Sequence, residues 1–74
     1  MTGLVKRSFS LAGHRTSVAL EAAFWSALAE IATERGQLLS ALVAAIDAER
    51  QQGQPLASAL RLEALAAFRA SRAD

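Results

Sequence analysis

The side chains of this sequence that could do chemistry are few, and they do not form a catalytic set. His14 is the single histidine and cysteine is absent, so no nucleophile or ligand cluster can be built around the imidazole. Glu30 and Glu34 lie four residues apart, which is typical of a solvated helix face. No glycine-rich phosphate loop, paired-carboxylate motif or metal-ligand spacing is present. We therefore expect no enzymatic activity, no cofactor and no metal site.

The most distinctive polar pattern is the alternating run RTSVAL at residues 15–20. Successive side chains of a β-strand point to opposite faces, so Arg15, Ser17 and Ala19 share one polar face. The opposite face carries the more apolar side chains: Thr16, Val18 and Leu20. A strand also needs a neighbour to pair its backbone N–H and C=O groups, so the chain or a second copy of it must supply one.

The segment before this strand predicts either a first strand or a disordered arm. In the first case, residues 6–20 form a hairpin with a type II′ turn at Gly13-His14. That register places Phe9 opposite Val18 and Leu11 opposite Thr16, with Ser8 and Ser10 on the polar face. In the second case, residues 1–12 are a mobile tail, and the sequence leaves open which form residues 4–11 take.

The rest of the chain predicts three helices, which makes the fold mostly α-helical. The first spans Glu21 to Arg35 and ends at the glycine Gly36; the second spans residues 38–52. The segment QQGQP at 51–55 is a clear break, and Pro55 begins a third helix that ends near Ser71. We expect an N-terminal domain over 1–52 and a helical extension over 53–74. The apolar side of the third helix is expected to carry Leu56, Leu60, Leu65 and Phe68.

Length and charge indicate a small self-associating protein. A chain of 74 residues without cysteine has little core of its own, and oligomerisation is the remedy left to it. The first 20 residues carry three cations and no acid. The segment MTGLVKRSFSLAG lacks the apolar run of a signal peptide, and no stretch is long enough for a membrane helix. We expect a cytoplasmic protein that does not contact a membrane.

The ordered set of these motifs resembles a ribbon-helix-helix domain, the fold of the Arc and methionine repressors. The run KRSFSLAGHRTSVALEAAFWSALAEIATERGQLLSALVAAID, residues 6–47, is most similar to the small ribbon-helix-helix proteins of alphaproteobacteria. Their shared pattern is KRS…AGHRTS…LE..FW..L..IA.ERG..LSAL…ID, and SALRLEAL..FR at 58–69 resembles their tail. A helix-turn-helix reader is disfavoured, because the second helix exposes alanines and acids rather than base-reading side chains.

The resemblance implies a homodimer in which two strands pair into an antiparallel ribbon that enters the DNA major groove. It assigns base contacts to Arg15, Ser17 and Ala19. It assigns phosphate contacts to Lys6 and Arg7 and to the start of the second helix at Leu39 and Ser40. His14 is either a further phosphate contact or a solvated turn residue. The shared dimer core would contain Val18, Leu20, Trp25, Leu28, Ile31, Leu42, Val43 and Ile46.

One position departs from the family pattern, and two other functions stay open. Leu38 stands where many members carry a polar cap, which weakens the expected phosphate clamp; Ser40 either helps the clamp or caps nothing.

The favoured function is sequence-specific duplex DNA binding by a transcriptional regulator, with possible further assembly of dimers on DNA. The alternatives are a dimeric adaptor or antitoxin-like protein that uses the helix at Pro55–Ser71, and a purely structural dimer.

Overall fold

A computed structural model describes residues 3–72 of the chain. It has three helices, as the sequence predicts, preceded by a two-stranded antiparallel sheet, which is the hairpin of the two alternatives that the sequence left open. The expected domain limits at residues 1 and 74 lie outside the described residues. The elements are β1 (Leu4–Leu11), β2 (His14–Glu21), α1 (Ala22–Glu34), α2 (Leu39–Glu49) and α3 (Leu56–Ser71). Residues 4–11 therefore form a strand.

The turn of the hairpin differs from the expected type II′ turn at Gly13-His14. The strands are joined by Ala12 and Gly13, which both have positive φ, +51° and +83°. Positive φ at both central residues defines a type I′ turn, whose twist matches the right-handed twist of the flanking strands. Glycine adopts this conformation freely, whereas Ala12 pays the steric cost of its Cβ. The expected turn position was wrong by one residue.

This change shifts the strand register by two residues but leaves the faces intact. Phe9 pairs with Thr16 and Leu11 with His14, instead of with Val18 and Thr16. Because the side-chain period of a strand is two, a shift of two residues keeps every side chain on its expected face. Phe9 and Val18 still point toward the helices, where both are buried.

The turn between α1 and α2 is a Schellman motif built on Gly36. The N–H of Gln37 donates to the carbonyl of Ala32 at 2.9 Å, and the N–H of Gly36 donates to that of Thr33 at 3.1 Å. Gly36 has φ +68°, the left-handed conformation that this motif places after the last helical turn. Gly36, which marks the helix end in the sequence, thus ends α1 at Glu34, one residue before the predicted end at Arg35.

The second helix ends three residues earlier than the predicted Gln52. Its last residue is Glu49, and Arg50 adopts an extended backbone with ψ 151°. The Arg50 guanidinium donates to Asp47 Oδ1 at 2.8 Å and to the carbonyl oxygen of Gln54 at 2.6 Å. These bonds connect the end of α2 to the following loop and favour the loop over another helical turn.

A single apolar core holds the hairpin to all three helices. α2 packs against β1, α3 packs against β2, and α1 contacts both other helices. The helix α3 contributes Ala59, Leu60 and Ala64 to this core. The expectation for its apolar side was partly wrong, because Leu65 and Phe68 are exposed.

Within residues 3–72, no helix is both long and apolar enough to cross a bilayer. The same part of the chain contains no group of three acidic or histidine side chains arranged to hold a metal ion.

Candidate nucleic-acid interface

One face of the hairpin is polar and points away from the helices. We call it the polar sheet face and define it as Lys6, Ser8, Ser10, Arg15, Ser17 and Ala19. All but Ala19, which is half-buried, are exposed. The pairing brings these side chains side by side in three cross-strand pairs: Lys6 with Ala19, Ser8 with Ser17, and Ser10 with Arg15. The face therefore combines hydrogen-bonding groups and cations without a carboxylate among them.

Hydrogen bonds organise the centre of this face. The hydroxyl oxygens of Ser8 and Ser17 lie 3.0 Å apart. Arg15 Nη1 donates to the hydroxyl oxygen of Ser10 at 3.2 Å. A guanidinium has five N–H donors, so Arg15 keeps most of its donors for a ligand while Ser10 restrains its side chain. The arrangement favours recognition of hydrogen-bond acceptors by Arg15.

The acid at the end of β2 is paired with an arginine of α3. Glu21, the last residue of β2, accepts hydrogen bonds from Arg61 Nε at 3.1 Å and Nη2 at 2.9 Å. A backbone N–H bond and the Arg61 guanidinium lower the pKa of the Glu21 carboxyl. Because this carboxylate is already paired, it repels an approaching anion less than a free one would.

The two predicted phosphate contacts of β1 point to opposite sides of the sheet. Lys6 lies on the polar sheet face, whereas Arg7 lies on the helix side with its guanidinium 5.5 Å from the Trp25 ring centroid. Trp25 Nε1 also donates to the carbonyl oxygen of Val5 at 2.7 Å, and the indole is buried. Trp25 is thus a core residue that holds β1 against α1.

The other predicted phosphate contacts lie at the turn and at the start of α2. His14 follows the turn, is exposed, and has the strand parity of the helix side. The first turn of α2 contains Leu39 and Ser40, and its N-cap Leu38 makes no side-chain capping bond. The first N–H groups of a helix have no partner within the helix, so those of Leu39 and Ser40 are available to an anion. Their contact with phosphate remains a prediction.

The eight residues predicted for the dimer core lie in the core of the single chain. Each is at most 9 % exposed, and they pack together with residues of both strands and all three helices. Which of them a second copy touches remains a prediction. Ser8 and Ser10 were not assigned as site residues. The strand alternation that put them on the polar face was the signal that could have identified them.

The comparisons with known proteins agree with this architecture. The family model described as a ribbon-helix-helix domain matches residues 4–68, and the chain belongs to that family. No curated protein and no solved structure matches it significantly. Ribbon-helix-helix domains are typically non-enzymatic, DNA-binding and regulatory, and they typically bind DNA as dimers. The matched range includes β1 and most of α3.

Proposed function

We propose that this chain is a cytoplasmic transcriptional regulator, acting as a repressor, whose homodimer binds a specific sequence of duplex DNA. The observation that carries the proposal is the polar sheet face. It presents two cations and three hydroxyls on a strand pair whose other side is fixed to the helices, in a chain of the ribbon-helix-helix family. The β-ribbon is a known reader of the major groove.

The free edge of β2 supports a dimer formed by strand pairing. In the type I′ turn, the carbonyl of Leu11 and the N–H of His14 face each other as the first pair of the ladder. Hydrogen-bonded and non-bonded pairs alternate along antiparallel strands. Arg15, Ser17 and Ala19 therefore direct their backbone N–H and C=O groups away from β1. The β2 strand of a second copy can take these bonds in antiparallel order.

Such a dimer has a four-stranded sheet with the two β2 strands in the centre. Neighbouring strands lie about 4.8 Å apart, so the central pair fits a major groove about 12 Å wide. The outer β1 strands, roughly 14 Å apart by the same spacing, would lie over the groove edges. Lys6, on the polar sheet face of β1, would then meet the phosphate backbone.

The residues of the central strands differ in what they can read. Arg15 matches the O6 and N7 acceptors of guanine with two parallel N–H donors. Ser17 can donate or accept, so it tolerates several bases, and Ala19 offers a methyl contact to thymine. Lys6 and the N–H groups of Leu39 and Ser40 would bind phosphates, which position the protein without specifying sequence. Arg7 and His14 lie on the helix side of the sheet, so we do not assign them a contact within the groove.

The proposal is tested by selecting bound duplexes from a random library and measuring affinity by fluorescence anisotropy. Arg15→Ala should weaken binding of the selected site by roughly tenfold to a hundredfold per half-site and relax preference at one base pair. Arg69→Ala removes an exposed arginine of α3 away from the polar sheet face and is the matched control. Lys6→Ala should instead weaken the binding of all duplexes equally. It should also reduce the slope of log affinity against log salt concentration by the equivalent of about two phosphate contacts per dimer.

Two results would count against DNA binding through this face. One is the absence of duplex binding by the folded dimer at low salt. The other is equal affinity and equal sequence preference of the Arg15→Ala and Arg69→Ala variants. Both variants are first shown to be folded and to have the wild-type oligomeric state.

A further inference from the structure

The helix α3 carries exposed apolar side chains outside its buried side. Leu60 is fully buried in the core, but Leu62 is 57 % exposed, Leu65 49 % and Phe68 58 %. At 3.6 residues per turn, Leu62 lies about 160° around the helix from Leu60. Contiguous exposed apolar side chains mark interaction sites, so this second stripe indicates a missing neighbour.

The stripe borders an apolar groove between α1 and α3. The groove has a volume of about 350 Å³, and its walls include Phe24 and Ala27 from α1 and the three exposed side chains of α3. Its cation, Arg61, lies 5.7 Å from the Phe24 ring centroid and is paired with Glu21. An apolar occupant can therefore cover the groove without leaving Arg61 unpaired, which would be costly.

Both helices that line the groove pack against β2, the strand that pairs with β1 on one side only. α3 packs against β2, whereas α2 packs against β1. The Arg61–Glu21 ion pair fixes the second turn of α3 to the end of β2, and Phe24 follows that strand by three residues. A second copy that pairs with β2 is thereby brought next to the groove.

We propose that the occupant of this groove is a second copy of the chain, so that α3 forms part of the dimer interface. The inference rests on the strand-paired dimer of the proposed function. A stable homodimer buries about 800 Å² per partner, and the β2 edge offers backbone and the short side chains of Ser17 and Ala19. Leu62, Leu65 and Phe68 supply the apolar area that is typical of the core of a homodimer interface.

Sedimentation equilibrium of the full chain tests this assignment. The double variant Leu65→Glu/Phe68→Glu puts two carboxylates on the stripe and should raise the dimer dissociation constant at least about a hundredfold. Leu38→Glu is the matched control, because Leu38 is 75 % exposed and does not line the groove. The dimer dissociation constant of Leu38→Glu should stay within about threefold of that of the wild type. Circular dichroism establishes that each variant has wild-type helix content.

A second measurement uses a milder change. The sequence contains no cysteine, so Leu65→Cys carries a single thiol. A charged maleimide should modify this thiol at least roughly tenfold more slowly above the dimer dissociation constant than below it. The Leu38→Cys thiol should react at one rate at both concentrations.

The outcomes separate the inference from the function on which it rests. In one case, the wild type is dimeric and Leu65→Glu/Phe68→Glu dimerises as well as Leu38→Glu does. In another, the thiol at position 65 stays reactive in the dimer. In either case the groove is free for another protein. The inference is then wrong and the strand-paired dimer stands. If the wild type is monomeric up to millimolar concentration, both are wrong.

Discussion

The Trp25→Phe substitution should loosen the first strand from the helices. Trp25 is 4 % exposed, and its Nε1 donates to the carbonyl oxygen of Val5 at 2.7 Å. Its ring also lies 5.8 Å from that of Phe9 and beneath the Arg7 guanidinium. Phenylalanine keeps an aromatic ring in the core but cannot make the hydrogen bond and fills less space.

The magnitude follows from the contacts that are lost. The hydrogen bond to Val5 contributes about 0.5–1.5 kcal/mol. The weaker cation–π contact with Arg7 and the space left by the indole add roughly 1 kcal/mol. We expect a loss of about 2 kcal/mol in the free energy of unfolding, which lowers Tm by roughly 8–16 °C in a domain of this size.

Thermal unfolding followed by far-ultraviolet circular dichroism measures this loss without relying on the tryptophan signal. Protomer concentration is held constant, because the stability of a dimer depends on it. Amide exchange should be accelerated most in β1, where Val5 loses its link to α1. Ser26→Ala changes the next residue of α1, which is exposed, and should alter stability by less than about 0.5 kcal/mol. Equal Tm values for the two variants would refute the argued role of Trp25.

Two further predictions concern the ends of the hairpin. Ala12→Asn should stabilise the protein by about 0.5 kcal/mol, since asparagine tolerates positive φ, whereas Gly13→Ala should destabilise it by about 1–2 kcal/mol; a neutral Ala12→Asn in thermal unfolding would contradict the type I′ turn. The lowered pKa of Glu21 means that its backbone hydrogen bond and its ion pair with Arg61 stabilise the fold above the ordinary carboxyl pKa of about 4.3, and that this stabilisation is lost as pH falls through the lowered value. The urea midpoints of wild type and Glu21→Gln should therefore converge as the pH is lowered from 6 to 3, and parallel curves would contradict this.

The four-stranded arrangement changes what the first strand does in the proposed complex. An isolated β2 ribbon would leave Lys6 on a mobile arm. In the structure, β1 is a full strand whose position is set by Trp25 and by its pairing with β2. Lys6 is therefore presented at a fixed distance from Arg15, so phosphate and base contacts can be made together without ordering an arm on binding.

The sequence by itself determined which side chains share a face. Strand alternation put Arg15 and Ser17 on one face of β2 and Val18 on the other. This assignment holds in the expected and in the observed register, because the two registers differ by two residues. Helical spacing of apolar residues and the glycine at position 36 likewise determined where α1 lies and how it ends. These are local properties of the chain, so they can be read without knowledge of its neighbours.

The tertiary structure decided the features for which the local signals were ambiguous. Gly13 is compatible with either turn type, because the twist of paired strands suits both type I′ and type II′ turns, and the folded hairpin has the type I′ turn at Ala12-Gly13. The helix α3 has apolar side chains on both sides, so its spacing could not say which side is buried. Packing against β2 chose Leu60 and left Phe68 exposed. Burial depends on the surface that a helix meets, and that surface comes from residues distant in the sequence.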